Sequence, residues 1–220
     1  MPKNEESDES ISKLETPIIL SKYFRHIHQF GKIQIDQSHP PVYEMLRYSM
    51  GWIDGNGNPS LSQGKALRPT LCLYTCESLG TPYEKALPAA VALELIHNFS
   101  LIHDDIQDKD EVRHHRKTLW AEWGIPKALM TGDLMYVLAN QYILDSSLVN
   151  DDYVISSNLL NEACLKMIEG QYLDLQYEGQ FDLSIDDYLA MVSRKTGALL
   201  RCSVDAGVIL GDCAIAQKKH

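Results

Sequence analysis

The segment from Tyr83 to Asp108 constrains the fold more than any other, because apolar residues recur through it at helical spacing. A helix over this segment would be about 40 Å long at a rise of 1.5 Å per residue. A helix of this length that is apolar on most of its faces is stable only when neighbouring helices cover it. The segment therefore predicts a central helix surrounded by other helices.

Apolar residues with helical spacing also occupy other segments, and short turns rich in glycine, proline or aspartate separate them. These segments cover roughly residues 41–52, 65–79, 126–145, 152–178 and 185–210. We find no alternating strand pattern with a hairpin turn and no internal repeat. We predict an all-α fold, a large antiparallel helix bundle over residues 15–220 that follows a disordered acidic tail over residues 1–14.

Charge and cysteine content exclude several classes of protein. A net charge of −10 argues against nucleic-acid binding, and it would repel an anionic substrate unless metal ions or a local basic patch reversed the field. The five cysteines form no CxxC pair, so we expect a reduced, cytoplasmic chain. No apolar run approaches the roughly 20 residues of a membrane span, and the acidic opening is unlike a signal peptide. We therefore expect no transmembrane segment.

Aspartates near the end of the central segment differ from the other acidic pairs. The pairs at 151–152 and 186–187 open apolar runs, where carboxylates meet the positive end of a helix dipole. At about 100° per residue, His97, Asp104 and Asp108 share one stripe near a helix C-terminus, where two carboxylates repel each other. One explanation is a solvated acidic helix end. The other is a Mg²⁺ site, since oxygen ligands on one face suit this ion and substrate phosphates complete its coordination.

Basic residues near these aspartates supply what the oxygens of a diphosphate require. A basic cluster follows the aspartates directly, at residues 113–117. Lys65 and Arg68 lie three residues apart on one face of a predicted helix, and Lys195 interrupts the apolar spacing of another. Each basic residue taken singly fits a surface position. Together with the aspartates they predict a site with cations for two diphosphates.

Six motifs resemble those of the trans-isoprenyl diphosphate synthase (polyprenyl synthetase) family, from about residue 45 to the end of the chain. They are GKxxRP at 64–69, ELIHNFSLIHDDIQD at 94–108, the basic cluster after it, TGDLMY at 131–136, EGQYLDL at 169–175 and KTG at 195–197. The resemblance implies a bundle of the isoprenoid synthase type with a central cavity, Mg²⁺ as the cofactor, and a homodimer. It also implies that isopentenyl diphosphate is added to an allylic diphosphate, which is dimethylallyl, geranyl or farnesyl diphosphate.

The resemblance also implies roles for individual residues. The residues expected to act in catalysis are Asp104, Asp105, Asp108 and Lys195, of which Asp104 and Asp108 would bind Mg²⁺. The residues expected to hold the allylic diphosphate beside the metal are Arg113, Lys195 and Thr196. The residues expected to bind isopentenyl diphosphate are Gly64, Lys65, Arg68, His97 and His114. The residues expected to line the cavity near the metal are Gln171 and Asp174.

The resemblance further implies a length for the product. Phe99 and Ser100 precede Asp104 by five and four residues, where the family has the floor of its cavity. An aromatic ring at this position limits elongation in the family, and one ring without an insertion in DDIQD resembles the geranylgeranyl type. A C20 product is therefore expected. A plain core position for Phe99 is compatible with this role, because a cavity floor belongs to the core.

The chain departs from the family pattern at two places. His114 stands where the family has a second arginine, so we expect weaker binding of isopentenyl diphosphate at high pH, where histidine loses its charge. No second aspartate-rich motif follows Lys195, and the sequence stops at His220, so we expect a bundle incomplete at its C-terminal end, with little turnover on its own. Two alternatives stay open. One is a non-catalytic partner subunit of a full-length synthase, and the other is a class I terpene cyclase, which has no use for Lys65 and Arg68.

Overall fold

The computed structural model describes residues 18–35, 41–60, 64–144, 151–180 and 182–211. The chain is mostly helical within them, which confirms the predicted all-α class. The helices are α1 (Ile18–Ile35), α2 (Pro41–Ser49), α3 (Leu67–Ser78), α4 (Leu87–Asp108), α5 (Leu119–Trp123), α6 (Ile125–Leu144), α7 (Asp151–Tyr177), α8 (Ile185–Val192) and α9 (Ala198–Leu210). The acidic tail predicted for residues 1–14 lies outside the described residues.

Helix α4 is the centre of the bundle, as predicted. It packs mainly against α6 and α3, and also against α1, α7 and α9. Its side chains at Leu93, Leu95 and Ile96 are fully buried. Together with the 3₁₀ turn before it, α4 is long and apolar enough to cross a membrane, contrary to the expectation that no run approaches that length. However, 72% of its apolar window is buried inside the fold, so we identify it as a core helix.

Local signals set both ends of α4. A 3₁₀ turn over Tyr83–Ala86 leads into it, and Pro88 lies in its first turn, where the missing N–H removes no helical hydrogen bond. The helix ends where Lys109 adopts a left-handed backbone with a φ of 60° and donates its N–H to the Asp105 carbonyl. The DDIQD motif therefore forms the C-terminal end of α4.

A short antiparallel hairpin follows α4, which corrects the expectation that the chain has none. Strand β1 (Val112–Arg113) pairs with β2 (Arg116–Lys117). The turn residues His114 and His115 have φ values of 49° and 62°, and a two-residue type I′ turn requires such positive φ at both positions. Strands of two residues are too short to show an alternating pattern, and Asn-Gly is the usual signal for this turn. The sequence pattern therefore could not reveal the hairpin.

Helix α3 begins at Leu67, two residues later than predicted. Ala66 has a left-handed backbone with a φ of 49°, so the helix does not extend back to Lys65. Lys65 and Arg68 therefore do not share a helical face, although both line the same cavity. Helices α1 and α5 were not among the predicted segments, and the five residues of α5 are too few to show a helical period.

A π-helical turn over Ser193–Gly197 interrupts the helix predicted for residues 185–210 and separates α8 from α9. Gly170 of α7 lies directly against this turn, and a Cβ at Gly170 would collide with the backbone of Lys195. The lack of a side chain at residue 170 thus lets α7 and the turn approach each other closely. Lys195, which interrupts the apolar spacing in the sequence, lies in this turn.

The acidic pairs at 151–152 and 186–187 lie in the first turns of α7 and α8, as predicted. There they meet the positive end of the helix dipole. The capping residue of α8 is Ser184, whose Oγ accepts the Asp187 backbone N–H at 3.1 Å. In α8, the carboxylates therefore act through their charge, and the side chain of Ser184 caps the helix.

Candidate active site

Two cavities flank the C-terminal half of α4. The first has a volume of about 570 Å³ and is named the basic cavity, because lysine and arginine side chains line it. The second has a volume of about 620 Å³ and is named the apolar cavity, for its interior of aromatic and aliphatic side chains. Arg68, His97 and Leu101 line both. The two cavities therefore share a wall.

The basic cavity collects the residues predicted to bind isopentenyl diphosphate. Those residues are Gly64, Lys65, Arg68, His97 and His114. Three further basic side chains extend the lining, and all come from the hairpin: Arg113, Arg116 and Lys117. Arg116 also anchors the hairpin, since its Nη2 donates to the Ile53 carbonyl at 2.8 Å and its guanidinium lies over the Tyr48 ring. The unpredicted hairpin is thus what carries the basic cluster to the cavity.

Arg68 brings an unsatisfied hydrogen-bond donor to the wall between the cavities. Its Nε is buried and has no hydrogen-bond partner in the part of the chain that the structure describes, which is costly for a donor. Burial lowers the pKa of Arg68, and the charge of Glu94 partly offsets this effect. The Arg68 side chain adds a positive charge to the lysine and arginine residues of the basic cavity. This concentration of positive charge marks the basic cavity as an anion site.

Two titratable groups of α4 line the basic cavity near Arg68. Burial raises the pKa of Glu94 to about 7, although the charge of Arg68 and a hydrogen bond from Asn98 act in the opposite direction. Burial also lowers the pKa of His97 to about 3, and the charges of Arg68 and Arg113 contribute to this decrease. His97 is therefore neutral at physiological pH. It can act on a diphosphate as a hydrogen-bond partner but not as a cation.

Asp105 holds the hairpin against the end of α4. Its Oδ1 accepts a hydrogen bond from Arg113 Nε at 2.6 Å, while carboxylate oxygens of Asp104 and Asp110 each lie 3.9 Å from Arg113 Nη2. Burial raises the pKa of Asp105, and the bond to Arg113 opposes this. Asp105 lines the basic cavity and Asp104 the apolar one. The two adjacent carboxylates thus face different cavities.

The apolar cavity has a polar level and an apolar level. At the polar level, Gln171 Nε2 donates to Gln107 Oε1 at 2.9 Å, joining α7 to α4. At the apolar level, the rings of Phe99 and Tyr136 lie with centroids 5.9 Å apart. The two levels are eight residues apart on α4, which is about 12 Å of helix. The other residues of the lining that the sequence singled out are Ser100, Asp104, Lys195 and Thr196.

Lys195 connects the π turn to α4 and α7. Its Nζ donates to Asp174 Oδ2 at 2.6 Å and to Asp104 Oδ1 at 3.4 Å. Burial lowers the pKa of Lys195, but the bond to Asp174 and the charge of Asp104 outweigh that effect and raise it overall. A cation therefore lies between two carboxylates at the polar level of the apolar cavity. The π turn positions it there, as such turns often do at functional sites.

Asp174 does not line the apolar cavity, which corrects the expectation that it would do so together with Gln171. Asp174 and Asp108 line a third cavity, of about 250 Å³, beside the first two. Asp174 reaches the apolar cavity only through its bond to Lys195. Burial raises the pKa of Asp108, and the negative charge of Asp104 raises it further.

The aspartates fit a Mg²⁺ ion that takes most of its ligands from other molecules. Among the described residues, no group of three or more His, Cys, Asp or Glu lies close enough to hold a metal ion by itself. Mg²⁺ commonly binds through one or two carboxylates, with waters and substrate phosphates as the remaining ligands. Asp104 and Asp108 offer two carboxylates, and a cation between them would relieve the repulsion that raises the pKa of Asp108.

Glu94, Tyr136 and Gly170 are among the residues of the site that were not singled out from the sequence, although each lies within a motif that was. Glu94 opens ELIHNFSLIHDDIQD, Tyr136 ends TGDLMY and Gly170 lies in EGQYLDL. Glu94 sits on the apolar face of α4, where an acid at helical spacing is itself a signal of a buried polar group. The roles of Tyr136 and Gly170 depend on neighbours from other helices, so no local pattern reveals them.

The sequence matches the family described as polyprenyl synthetase over residues 52–220. A (2E,6E)-farnesyl diphosphate synthase of Mycobacterium tuberculosis is 39% identical over 176 residues, which are 80% of this chain and 48% of that protein. A geranylgeranyl pyrophosphate synthase of Geoglobus acetivorans is 39% identical over 147 residues, which are 67% of this chain and 46% of that protein. The chain thus spans about half the length of the curated relatives it matches.

Solved structures share the fold. A polyprenyl synthetase from Streptomyces coelicolor A3(2) has a TM-score of 0.82 and 37% sequence identity, with 90% of this chain and 58% of that chain covered. A geranylgeranyl pyrophosphate synthetase from Geoglobus acetivorans has a TM-score of 0.78 and 31% identity, with 90% of this chain and 63% of that chain covered. These matches confirm the bundle type and the resemblance of the six motifs. The chain belongs to the polyprenyl synthetase family.

Proposed function

We propose that this chain binds both substrates of a prenyltransferase, isopentenyl diphosphate and an allylic diphosphate, for their condensation into a trans-polyprenyl diphosphate. The observation that carries the proposal is the pair of cavities with a common wall at Arg68 and His97. One cavity is rich in cations. The other combines Asp104 and Lys195 with an apolar interior, which suits a molecule with a diphosphate head and a hydrocarbon tail.

The basic cavity would bind isopentenyl diphosphate. Lys65 and Arg68 supply fixed positive charge, and their side chains would donate charged hydrogen bonds to the diphosphate oxygens. His97 contributes a neutral hydrogen bond from the wall that the cavities share. This wall would bring the double bond of isopentenyl diphosphate next to the head of the allylic substrate, as a reaction between the two requires.

The apolar cavity would bind the allylic substrate, with Asp104 and Asp108 as the Mg²⁺ ligands. Bound Mg²⁺ would neutralise the charge that develops on the diphosphate as it leaves. Lys195 and Thr196 line this cavity and would bind the remaining diphosphate oxygens, with Lys195 exchanging its contact with Asp104 for the diphosphate. Arg113 lines the basic cavity, and it would reach the same diphosphate from beside Asp104, whose Oδ2 lies 3.9 Å from Arg113 Nη2. The carbon–oxygen bond then breaks, and the double bond of isopentenyl diphosphate attacks the allylic carbocation. The departing diphosphate takes the proton that is released.

For the product we propose a C20 chain. Phe99 lines the apolar cavity as one aromatic ring, with the small Ser100 beside it. The relatives named above include one farnesyl and one geranylgeranyl synthase, so both lengths occur among them. The length of the tail that the cavity admits depends on the rings at its apolar level.

The presence of the basic cavity favours a synthase over a terpene cyclase. A cyclase ionises a single diphosphate, so it requires no second set of cations. Lys65 and the unsatisfied Arg68 lie in the basic cavity, where a second diphosphate would bind. A regulatory partner subunit would have little need of Asp104 and Asp108 on one face of α4.

We also propose a homodimer in the cytoplasm. Large apolar side chains of α6 and α7 are exposed outside the cavities, including Met130 and Leu165 at 64% and 62%. Such a surface is typical of an interface between subunits. The four cysteines described, Cys72, Cys76, Cys164 and Cys202, are free and buried, as suits a reducing compartment.

Binding measurements on the 220-residue chain test the proposal. We expect the chain to bind isopentenyl diphosphate without metal and farnesyl diphosphate in a Mg²⁺-dependent manner. Lys65→Gln should weaken only the first by at least about tenfold, and Lys195→Gln only the second, since each removes a charged hydrogen bond from one cavity. Lys166→Gln, at an exposed position of α7 outside both cavities, is the matched control.

Turnover is a separate measurement. The chain is incubated with Mg²⁺, radiolabelled isopentenyl diphosphate and farnesyl diphosphate, and the products are separated by length. A C20 product would establish the synthase activity in this chain. Binding of both substrates without product would mean that catalysis needs parts of the longer relatives, and an absence of Mg²⁺-dependent binding would overturn the proposal.

A further inference from the structure

The apolar level of the apolar cavity is built from three rings on two helices. The ring of Phe99 on α4 contacts His103, whose ring centroid is 4.8 Å away in an edge-to-face arrangement, and Tyr136 of α6, at 5.9 Å. His103 packs so closely on α6 that a Cβ at Gly132 would collide with its ring. His103 therefore cannot move towards α6 at Gly132. The space beside Phe99 then depends on how freely the Tyr136 ring can move.

Tyr136 is tethered at its hydroxyl. The hydroxyl donates to Asn161 Oδ1 on α7 at 3.0 Å. Asn161 Nδ2 donates to Asn140 Oδ1 at 2.9 Å and to the Ser157 carbonyl at 3.1 Å. Asn140 Nδ2 in turn donates to the Tyr136 carbonyl at 3.0 Å. The bonds form a closed loop that starts and ends on Tyr136.

The donors and acceptors of this loop can be assigned in only one way. The Ser157 carbonyl can only accept, so Asn161 must present its NH₂ group there and its oxygen to the tyrosine hydroxyl. The Tyr136 carbonyl fixes the amide of Asn140 in the same way. Such a loop holds the tyrosine ring in one position, because a rotation about χ1 would break a hydrogen bond between α6 and α7. A tethered ring in a cavity wall limits what the cavity can hold.

We propose that Tyr136, tethered through Asn161 and Asn140, is a second residue that determines the tail length of the prenyl diphosphate bound in the apolar cavity. This inference rests on the proposed function, because it assigns a hydrocarbon tail to the apolar level. A tail that reaches beyond Phe99 meets the Tyr136 ring on the opposite helix. To pass, it must displace the ring and break the bond to Asn161. Tail length is thus limited from α6 as well as from α4.

The test compares affinities for prenyl diphosphates of increasing length in the presence of Mg²⁺. Farnesyl (C15), geranylgeranyl (C20) and geranylfarnesyl (C25) diphosphates are titrated into the 220-residue chain, and the ratio of the Kd for C25 to the Kd for C15 is measured. We expect the unaltered chain to bind C25 at least about tenfold more weakly than C15. Tyr136→Ala should bring that ratio to within about threefold of one, because the cavity then extends past the ring.

Two further variants distinguish the effect of the hydrogen bond between Tyr136 and Asn161 from the effect of the ring itself. Tyr136→Phe keeps the ring and removes the hydroxyl, and Asn161→Ala keeps the hydroxyl and removes its acceptor. Each should lower the Kd ratio by a similar, smaller factor, and the double variant should lower it no further, because both break the same bond. Tyr74→Ala is the matched control, since Tyr74 of α3 is 48% exposed and lines neither the basic nor the apolar cavity. It should leave the ratio unchanged.

The outcomes distinguish this inference from the proposed function. A chain that binds no prenyl diphosphate in a Mg²⁺-dependent manner contradicts the proposed function itself. A chain that binds farnesyl diphosphate but shows the same Kd ratio in Tyr136→Ala contradicts only the role of Tyr136. If Tyr136→Ala does not fold, as circular dichroism would show, Tyr136→Phe, Asn161→Ala and their double variant decide the question. Additive effects of the two substitutions on the Kd ratio would then contradict the role of the hydrogen bond between Tyr136 and Asn161.

Discussion

Burial decides which residues of the basic cavity carry charge. His97 and Glu94 both lie on α4 and both have pKa values that burial shifts towards the neutral form, to about 3 and about 7. Near neutral pH, the fixed charge near the shared wall therefore comes from Arg68 and the neighbouring lysine and arginine side chains. Glu94 is the group whose charge changes there within the physiological range.

The shifted pKa of Glu94 predicts a dependence of stability on pH. Its folded pKa of about 7 lies above the ordinary value of 4.5, so the folded chain retains a proton that the unfolded chain releases. Its contribution to the free energy of unfolding is thus fully present below pH 4.5 and is lost as the pH rises to 7. Relative to the unaltered chain, Glu94→Gln should gain about 2 kcal/mol of stability between pH 5 and pH 8.

Urea unfolding at the two pH values measures this difference. Because each pH compares two chains, the contributions of His97 and the other titrating groups cancel. The control is Glu162→Gln, which removes an exposed carboxylate on α7. Asn98→Asp is not a suitable control, because it adds a charge beside Glu94. Parallel pH profiles for Glu94→Gln and the unaltered chain would show that Glu94 is ionised in the folded state.

The second prediction at this scale concerns Phe99. Its side chain is only 8% exposed and lines the apolar cavity. Phe99→Ala should lengthen the product of the complete enzyme, because the tail can extend into the space that the ring occupied. It should also cost about 3 kcal/mol or more of stability, as the loss of a buried aromatic ring usually does. An unchanged product distribution, separated by chain length, would refute the role of Phe99 as the floor.

Residues on α4 could be predicted because a helix has a fixed period. The stripe of His97, Asp104 and Asp108 follows from 100° per residue, and the ring at Phe99 from its distance along the same helix. Residues whose surroundings come from distant parts of the chain could not be predicted in this way. The sequence contains no sign that Asp174 bonds Lys195 in place of lining the apolar cavity, because that depends on how α7 and the π turn meet.

Among the elements, the π turn between α8 and α9 does most to position the site. It separates the apolar helices α8 and α9, and it places the Lys195 ammonium group between the carboxylates of Asp104 and Asp174. The turn can approach α7 only where α7 lacks a side chain, at Gly170. The position of the Lys195 ammonium group therefore depends on a glycine in another helix.

Gly170→Ala should displace the π turn and with it Lys195. We expect a loss of about 1–3 kcal/mol of stability from overpacking, together with weaker Mg²⁺-dependent binding of farnesyl diphosphate. The matched variant is Gly207→Ala, because a Cβ at Gly207 of α9 would also collide with backbone, that of Cys72 in α3, but away from Lys195. Thermal unfolding and calorimetric titration of both variants measure the two effects.

Only Gly170→Ala should reduce the affinity for farnesyl diphosphate, by at least about tenfold, although both variants should unfold more easily. Equal affinities in the two variants would show that the position of Lys195 does not depend on the close contact at Gly170. The comparison is informative because both substitutions create a clash with backbone atoms, but only the clash at Gly170 involves Lys195.

The long helices could be predicted from sequence, and the short elements could not. Helices α4, α6 and α7 have enough turns for apolar spacing to be visible, and their ends lie within a few residues of the predicted ones. The two-residue strands of the hairpin and the five residues of α5 are too short for a pattern to repeat. The late start of α3 depends on the left-handed backbone of Ala66, a conformation that an alanine does not signal.

For the whole molecule, the sequence predicted the fold class and the meeting of acids and bases, since six motifs in the family's order leave few arrangements. It predicted cations for two diphosphates, but it could not predict that they would line two cavities with a shared wall. That division follows from how α3, α4 and the hairpin pack together. It also could not predict which apolar residues remain at the surface, because periodicity marks an apolar face and not the partner that covers it.

The proposed homodimer predicts that the exposed face of α6 packs against a second copy of the chain. Met130, Val137 and Leu144 follow each other at intervals of seven residues, in a row along one side of the helix. Met130 and Leu144 are 64% and 45% exposed, whereas the exposed Val137 belongs to the lining of the apolar cavity. Exposed apolar side chains in such a row are costly in water and mark an interface. The chain carries a net charge of −10, so two copies associate only if apolar burial outweighs their repulsion.

Met130→Glu should therefore shift the chain from dimer to monomer, because it places two further carboxylates in the proposed interface, one from each copy. Ile33→Glu is the matched control: Ile33 is 54% exposed, but it lies on α1, away from the row on α6. Sedimentation equilibrium should show a dimer for the unaltered chain and for Ile33→Glu, and a dissociation constant at least about tenfold higher for Met130→Glu. A dimer that withstands Met130→Glu would place the interface on another face, and a chain that is monomeric without any substitution would contradict the proposed homodimer.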